Sequence, residues 1–252
     1  MRFAELSKLH WSYGSGSSSE ESVVPRNETI DVDQFALEIT GRIRALSDAS
    51  VPNVRTIRRD ISMRIARAEL QQVIALALRL SNEFGLRSVA YELVHHHKAA
   101  LRSLDVGALE WFGRGIDGWK SVDAFALYLA GPAWREHQAP DSLISTWALS
   151  KDRWWRRASL VSTVALNNKA RGGSGDSSRT IAVCRMLADD RDDMVVKGLS
   201  WALRELVRRD PDAVGQFLDE SADILAARVK REVRNKLDTG LKNPSRYSRH
   251  LD

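Results

Sequence analysis

Apolar residues along this chain return at helical spacing. In RIARAELQQVIALALRLSNEF, residues 64–84, they recur every three or four positions, which predicts a helix with one buried face. In VVKGLSWALRELVRR, 195–209, Val195, Leu199, Ala202, Leu203 and Leu206 fall at i, i+4, i+7, i+8 and i+11 and make one apolar stripe. In DRWWRRASLVSTVAL, 152–166, the stripe is Leu160, Val161 and Val164. Alternating runs of Val, Ile and Thr are missing, so nothing predicts strands. Five of the six prolines (Pro52, Pro132, Pro140, Pro211, Pro244) fall near expected helix boundaries. The predicted fold class is all-α.

Two stretches break the pattern. Residues 13–27, YGSGSSSEESVVPRN, are rich in Ser, Gly and charge and read as a flexible N-terminal arm over 1–28. RGGSGDSS, 171–178, reads as an exposed loop between helices. The rest forms one predicted domain, 29–240, followed by a tail at 241–252. A faint repeat runs through it. LSKDRWWRRASL (149–160) is similar to LADDRDDMVVKGL (187–199) at an offset of 38 residues. HEAT-type helical solenoids have a period of roughly 40, which gives about six helix pairs here. Such a stack offers a concave surface to a long ligand.

Composition adds little to this picture and excludes some alternatives. Of 252 residues 43% are apolar, enough for a folded core, and the formal net charge is +5. This mild excess permits a polyanionic partner without demanding one. Cys184 is the single cysteine, so no intramolecular disulfide can form and a reducing, cytoplasmic compartment is expected. MRFAELSKLHW carries no apolar run of the secretory kind. No stretch is long and apolar enough for a bilayer.

Four residues sit where the periodicity does not want them. Trp201 lies nearly opposite the apolar stripe of its own helix, flanked by Lys197, Arg204 and Arg208. Indoles beside cations are either covered by a neighbouring helix or face a polyanion. Trp119 and Asp123, in GWKSVDAF, share a helix face at i, i+4, and Ala126 and Ala130 continue that face with small side chains. Arg157 lies on the apolar stripe of 152–166. A buried guanidinium needs a partner, either a carboxylate such as Asp123 or a phosphate.

Taken together, these stretches resemble the AlkD-like DNA alkylation-repair glycosylases. The likeness rests on GLRSVAYELVHHHKAA (85–100), GWKSVDAF (118–125) with its Trp-x-x-x-Asp, WALSKDRWWRRASLV (147–161) and MVVKGLSWALRELVRRDPDAVGQFL (194–218), with a weaker echo in VKREVRNKL (229–237). It spans roughly residues 50–237. The resemblance implies a HEAT-like solenoid that binds duplex DNA on its concave face and excises cationic alkylpurines, such as N3-methyladenine and N7-methylguanine. It implies that Trp119, Asp123 and Trp201 surround the damaged nucleotide, and that Arg157 helps hold the backbone. Lys197, Arg204, Arg208 and Arg156 are auxiliary DNA-binding candidates. There are departures. Gly118 and Lys120 stand where members often have a second Trp and an acid, and around residues 35–45 only Phe35 is found where a Tyr is common.

The chemistry accords with these residue types. A cationic purine departs neutral, so no general acid is required. The sugar develops oxocarbenium character, which one carboxylate and indole faces can stabilise. No cofactor and no metal are needed, and a monomer suffices. His95, His96 and His97 point in different directions on a helix and read as a helix-end surface cluster rather than a metal site. The tracts RTIRRD (55–60) and VKREVR (229–234) read as solvated faces or backbone contacts, and Cys184 as a core residue. Two other readings remain open: a non-catalytic DNA-binding paralogue, and a protein–protein adaptor.

Overall fold

A computed structural model of the chain describes residues 28–244, and the arm expectation for 1–27 lies outside them. The described residues form α1 (Val32–Arg44), α2 (Val51–Arg64), α3 (Leu70–Asn82), α4 (Arg87–His96), α5 (Lys98–Arg102), α6 (Val106–Gly113) and α7 (Trp119–Phe125). There follow α8 (Gly131–Arg135), α9 (Asp141–Ala148), α10 (Arg153–Asn167), α11 (Ser177–Met186), α12 (Asp193–Leu206), α13 (Pro211–Glu220) and α14 (Ala227–Thr239). Glu28 is not part of a free arm: its N–H donates to the Arg67 carbonyl at 2.9 Å, in a single bridge to the α2–α3 turn.

The helices stack in two layers, as an all-α helical-repeat solenoid should. In one layer α2 packs on α4, α4 on α7, α7 on α10, α10 on α12 and α12 on α14. In the other, α1 packs on α3, α9 on α11 and α11 on α13. We call the first the inner ladder, because it carries every candidate residue but Arg208, which lies in the turn after α12. Ion pairs and hydrogen bonds tie the α10 unit to the α12 unit at 34 to 39 residues: Arg156 to Asp190 at 2.7 Å, Arg153 to Asp192 at 3.4 Å and Asn168 to Glu205 at 3.0 Å. The repeat seen in the sequence is therefore structural, but its register shifts. Asp152 caps α10 by accepting from Trp154 N–H, whereas α12 is capped by Asp192 and not by Asp190.

Local boundaries follow cap chemistry. Asp31, Asp105, Asp176 and Asp210 accept first-turn N–H groups of α1, α6, α11 and α13. Pro52 and Pro211 sit in first turns, where no N–H is missed. The stretch 64–84 is not one helix: α2 stops at Arg64 and α3 starts at Leu70. The turn between them turns Ile65 and Ala68 inward.

Pro132 is not at a boundary. Helical backbone runs unbroken from Trp119 to Arg135, with a wide π turn over Ala126–Ala130. Proline cannot donate to a carbonyl in the preceding turn and its ring crowds that carbonyl, and the wide turn makes room. The Tyr128 carbonyl accepts from His95 Nδ1 at 2.9 Å instead. Gly131 is required beside it, because a Cβ there would lie 2.6 Å from Ala165 Cβ and 2.7 Å from the Ser162 carbonyl of α10.

The stretch 171–178 is pinned rather than simply exposed. Arg135 donates to the Arg171 carbonyl and Arg209 to the Gly173 carbonyl, each at 2.7 Å. Gly173 is buried against the end of α10, and α11 has already begun at Ser177. Cys184 is fully buried, and burial pushes its thiol pKa up.

Candidate active site on the inner ladder

Asp123 and Arg157 face each other across adjacent inner helices. Arg157 Nε donates to Asp123 Oδ1 at 2.8 Å and Nη2 to Oδ2 at 2.9 Å, a bidentate pair. Nη1 donates to the Met194 carbonyl in the first turn of α12 at 2.5 Å. One guanidinium thus ties α7, α10 and α12 together. Its position on the apolar stripe of α10 explains the need: its side chain is 7% exposed and that of Asp123 13%, and a charge so placed is costly without a partner. Of the two partners the sequence allowed, the carboxylate holds it. Each of the three guanidinium nitrogens makes one of these bonds, and Nη1 and Nη2 each keep a second N–H.

Burial pushes the Asp123 carboxyl above the usual aspartate range, and the Arg157 hydrogen bonds and charge pull against that rise. Each carboxylate oxygen keeps a lone-pair direction that Arg157 does not use. The site can therefore hold negative charge in a poorly solvated place, where it acts strongly on a nearby cation.

Trp119 opens α7 one turn before Asp123 and is 49% exposed, with the Lys120 ammonium 5.7 Å from its ring centre. Its exposure contrasts with Ala126 and Ala130, which are completely buried. The small-residue face drawn through them is corrected: the π turn rotates them into the core, and they leave no space for a ligand. Trp201 is half-buried and packs against the core cluster. It lies two turns after Met194 on α12, on the side that holds Arg157.

The auxiliary cations separate into groups. Lys197 is half-exposed and pairs with Asp193 at 2.6 Å. Arg208 is exposed in the turn after α12. Arg204 turns toward the protein, donating to Ser200 Oγ at 3.2 Å near the buried Glu232. Arg156 binds Asp190 and the carbonyls of Ser150 and Lys151 at 3.0 and 2.9 Å. Its Nε and Nη1 are engaged by the fold, and its Nη2 makes no hydrogen bond among the described residues.

Other expectations also change. RTIRRD is not a solvated face: Arg58 is buried and bonds Glu92 of α4 at 3.0 Å. VKREVR contains the buried Glu232, which accepts from Ser200 Oγ at 2.7 Å. His97 is buried and not a surface residue. Its Nδ1 accepts from Ala100 N–H at 3.1 Å and caps α5, so Nε2 must carry the proton toward the Ala68 carbonyl at 3.1 Å. No group of three metal-ligating side chains occurs among the described residues. Phe35 is half-buried under the Arg64 guanidinium.

Trp154 was missed in the sequence. It lies three residues before Arg157, hence on the same side of α10, and Arg153 stacks over its ring at 4.7 Å. The doubled indole in RWWRR was the available signal; its second member, Trp155, packs inward on Trp147 and Phe125.

A family model described as DNA alkylation repair enzyme matches residues 47–237. The chain belongs to that family. The match covers α2 to α14 almost entirely, and so includes both members of the Asp123–Arg157 pair and both tryptophans. Comparison with curated proteins finds no match. As a DNA alkylation repair protein the chain acts on DNA, and no helix among the described residues is long and apolar enough to cross a membrane.

Proposed function

We propose that this DNA alkylation repair protein is a monofunctional DNA glycosylase. It hydrolyses the N-glycosidic bond of cationic alkylpurines, of the N3-methyladenine and N7-methylguanine type, in duplex DNA. The observation that carries the reading is the Asp123–Arg157 pair, a carboxylate held in low solvation one turn from an indole that is 49% exposed.

In this mechanism the C1′–N bond breaks and its electron pair leaves with the base, which neutralises the cationic purine. The sugar left behind carries oxocarbenium character. Asp123 is the catalytic residue: its carboxylate stabilises that charge and takes the proton from the water that bonds to C1′. Trp119 and Trp201 flank the nucleotide and present their negative ring faces to the cation. Arg157 is a positioning residue, which keeps Asp123 ionised and fixes its rotamer. Lys197 and Arg208 reach toward backbone phosphates along the concave surface.

A second reading is a DNA-binding protein without catalysis, favoured by one observation: both Asp123 oxygens are already bonded to Arg157. Base release separates the two. Duplexes carrying N7-methylguanine or N3-methyladenine should lose the modified base and acquire alkali-labile sites, and an unmodified duplex should not. Binding of the methylated duplex without release would reject the glycosylase and leave the second reading.

A further inference from the structure

Away from Asp123 the inner ladder carries a cluster of cations that the proposed reaction does not use. It centres on Tyr128, in the π turn. Arg55 of α2 donates to the Tyr128 hydroxyl at 3.0 Å. The Arg171 guanidinium, from the pinned stretch after α10, lies over the same ring at 4.9 Å from its centre. The His95 ring meets Tyr128 edge-on at 5.3 Å. Tyr128 reaches Arg55 across the end of α4, so the cluster sits over α4, where the exposed His96 and the partly exposed Arg55 give access from solvent.

The charges here do not balance. The carboxylate bonded to this group is that of Glu92, which divides itself between Arg55 at 3.4 Å and Arg58 at 3.0 Å. Arg171 contributes a further cation, which among the described residues has only an aromatic face beneath it, and its backbone carbonyl is fixed by Arg135. The neighbouring arginines also act on the histidines. Burial lowers the His95 pKa, with Arg171 and Arg135 adding to the effect. His96 is exposed as a whole, yet partial desolvation of its ring, and then Arg58 and His95, lower its pKa to about 4. Both rings are therefore neutral at physiological pH. Cations gathered on one aromatic side chain repel one another unless an anion joins them. A guanidinium stacked on a ring has in-plane N–H groups left for a phosphate fork.

We propose that Arg55 and Arg171, brought together on Tyr128, form an anion site that takes a phosphodiester of bound DNA. The site gives the 171–178 stretch a role: it holds Arg171 in place by the Arg135 and Arg209 bonds to its carbonyls. This inference rests on the chain binding DNA and not on its releasing a base. The contact is to the backbone, so it adds affinity without sequence preference.

The test is duplex affinity against salt for the full chain and for Arg171→Ala, Arg171→Lys and Arg55→Ala, using an undamaged duplex. Arg185→Ala, on α11 of the other layer, is the control, and melting curves establish that each variant is folded. Arg171→Ala and Arg55→Ala should each weaken binding several-fold, and the slope of log K against log salt should become shallower by about 0.9 for each lost phosphate. Arg171→Lys should keep the slope, and Arg185→Ala should match the parent. Titration with inorganic phosphate at fixed ionic strength separates a free-phosphate pocket from a backbone contact. Equal affinities and slopes for parent and variants would overturn the site, and so would saturable phosphate binding alongside such equality. Failure of the parent chain to bind duplex would overturn it too. Weaker, flatter binding by the variants with no base release by the parent would leave this site standing and remove the glycosylase.

Discussion

Two buried ion pairs join successive helices of the inner ladder, and they differ in what surrounds them. Arg58 of α2 meets Glu92 of α4, and Asp123 of α7 meets Arg157 of α10, each across 34 residues of chain. The side chains are about equally sequestered, at 9% and 10% for the first pair and 7% and 13% for the second. Glu92 takes a second guanidinium, from Arg55, and has no exposed indole one turn away. Among the described residues Asp123 has only Arg157, and Trp119 stands open to solvent beside it. The same bond can therefore clamp a fold or poise a carboxylate, and the neighbours decide which.

The largest effect should come from Arg157→Ala, which leaves Asp123 buried without a partner. Base release should fall at least 100-fold, consistent with losing a preorganised electrostatic contact. The chain should also lose about 3 kcal/mol in urea melts, because α7, α10 and α12 are no longer tied. Arg58→Ala should cost similar stability and yet leave the single-turnover release rate of the folded protein unchanged. A drop in that rate would erase the contrast between the pairs. Trp119→Ala should slow release about tenfold, the worth of one cation–π contact, with little change in melting because the ring is half in water already.

Acid should separate the pairs more gently. Asp123 must be ionised to act, and burial holds its pKa above the usual range. Release should therefore fall off with decreasing pH at a higher pH than an ordinary aspartate would set. A limb at or below the ordinary value would contradict the burial argument. His97 supplies the smallest effect. Its folded pKa is lowered, first by burial, so its contribution to stability is full above the unfolded value of about 6.5 and is lost as pH falls below it. His97→Gln should flatten the acid side of the stability curve.

Much of this arrangement was legible in the sequence. The stripe of 195–209 placed Trp201 away from the deepest packing, and Arg157 on an apolar stripe demanded a partner that Asp123 supplies. Those inferences needed only the 3.6-residue period and the cost of a buried charge. The π turn was not legible. Its trace in the sequence is GP inside an apolar run, which reads equally as a helix end, and it spoiled the face drawn through Ala126 and Ala130. The partner of the adjacent Arg156 was not legible either, because Asp190 lies in the loop before α12, which local periodicity cannot specify. For the same reason Arg58 and His97 read as surface residues although long-range partners bury them.

The most direct measurement is base release from an N7-methylguanine duplex by the parent chain, Asp123→Asn and Glu92→Gln, under single-turnover conditions at saturating protein. The account predicts release by the parent and by Glu92→Gln at comparable rates, and loss of at least 100-fold in Asp123→Asn with duplex affinity largely kept. Asp123→Asn releasing base at the parent rate would contradict it.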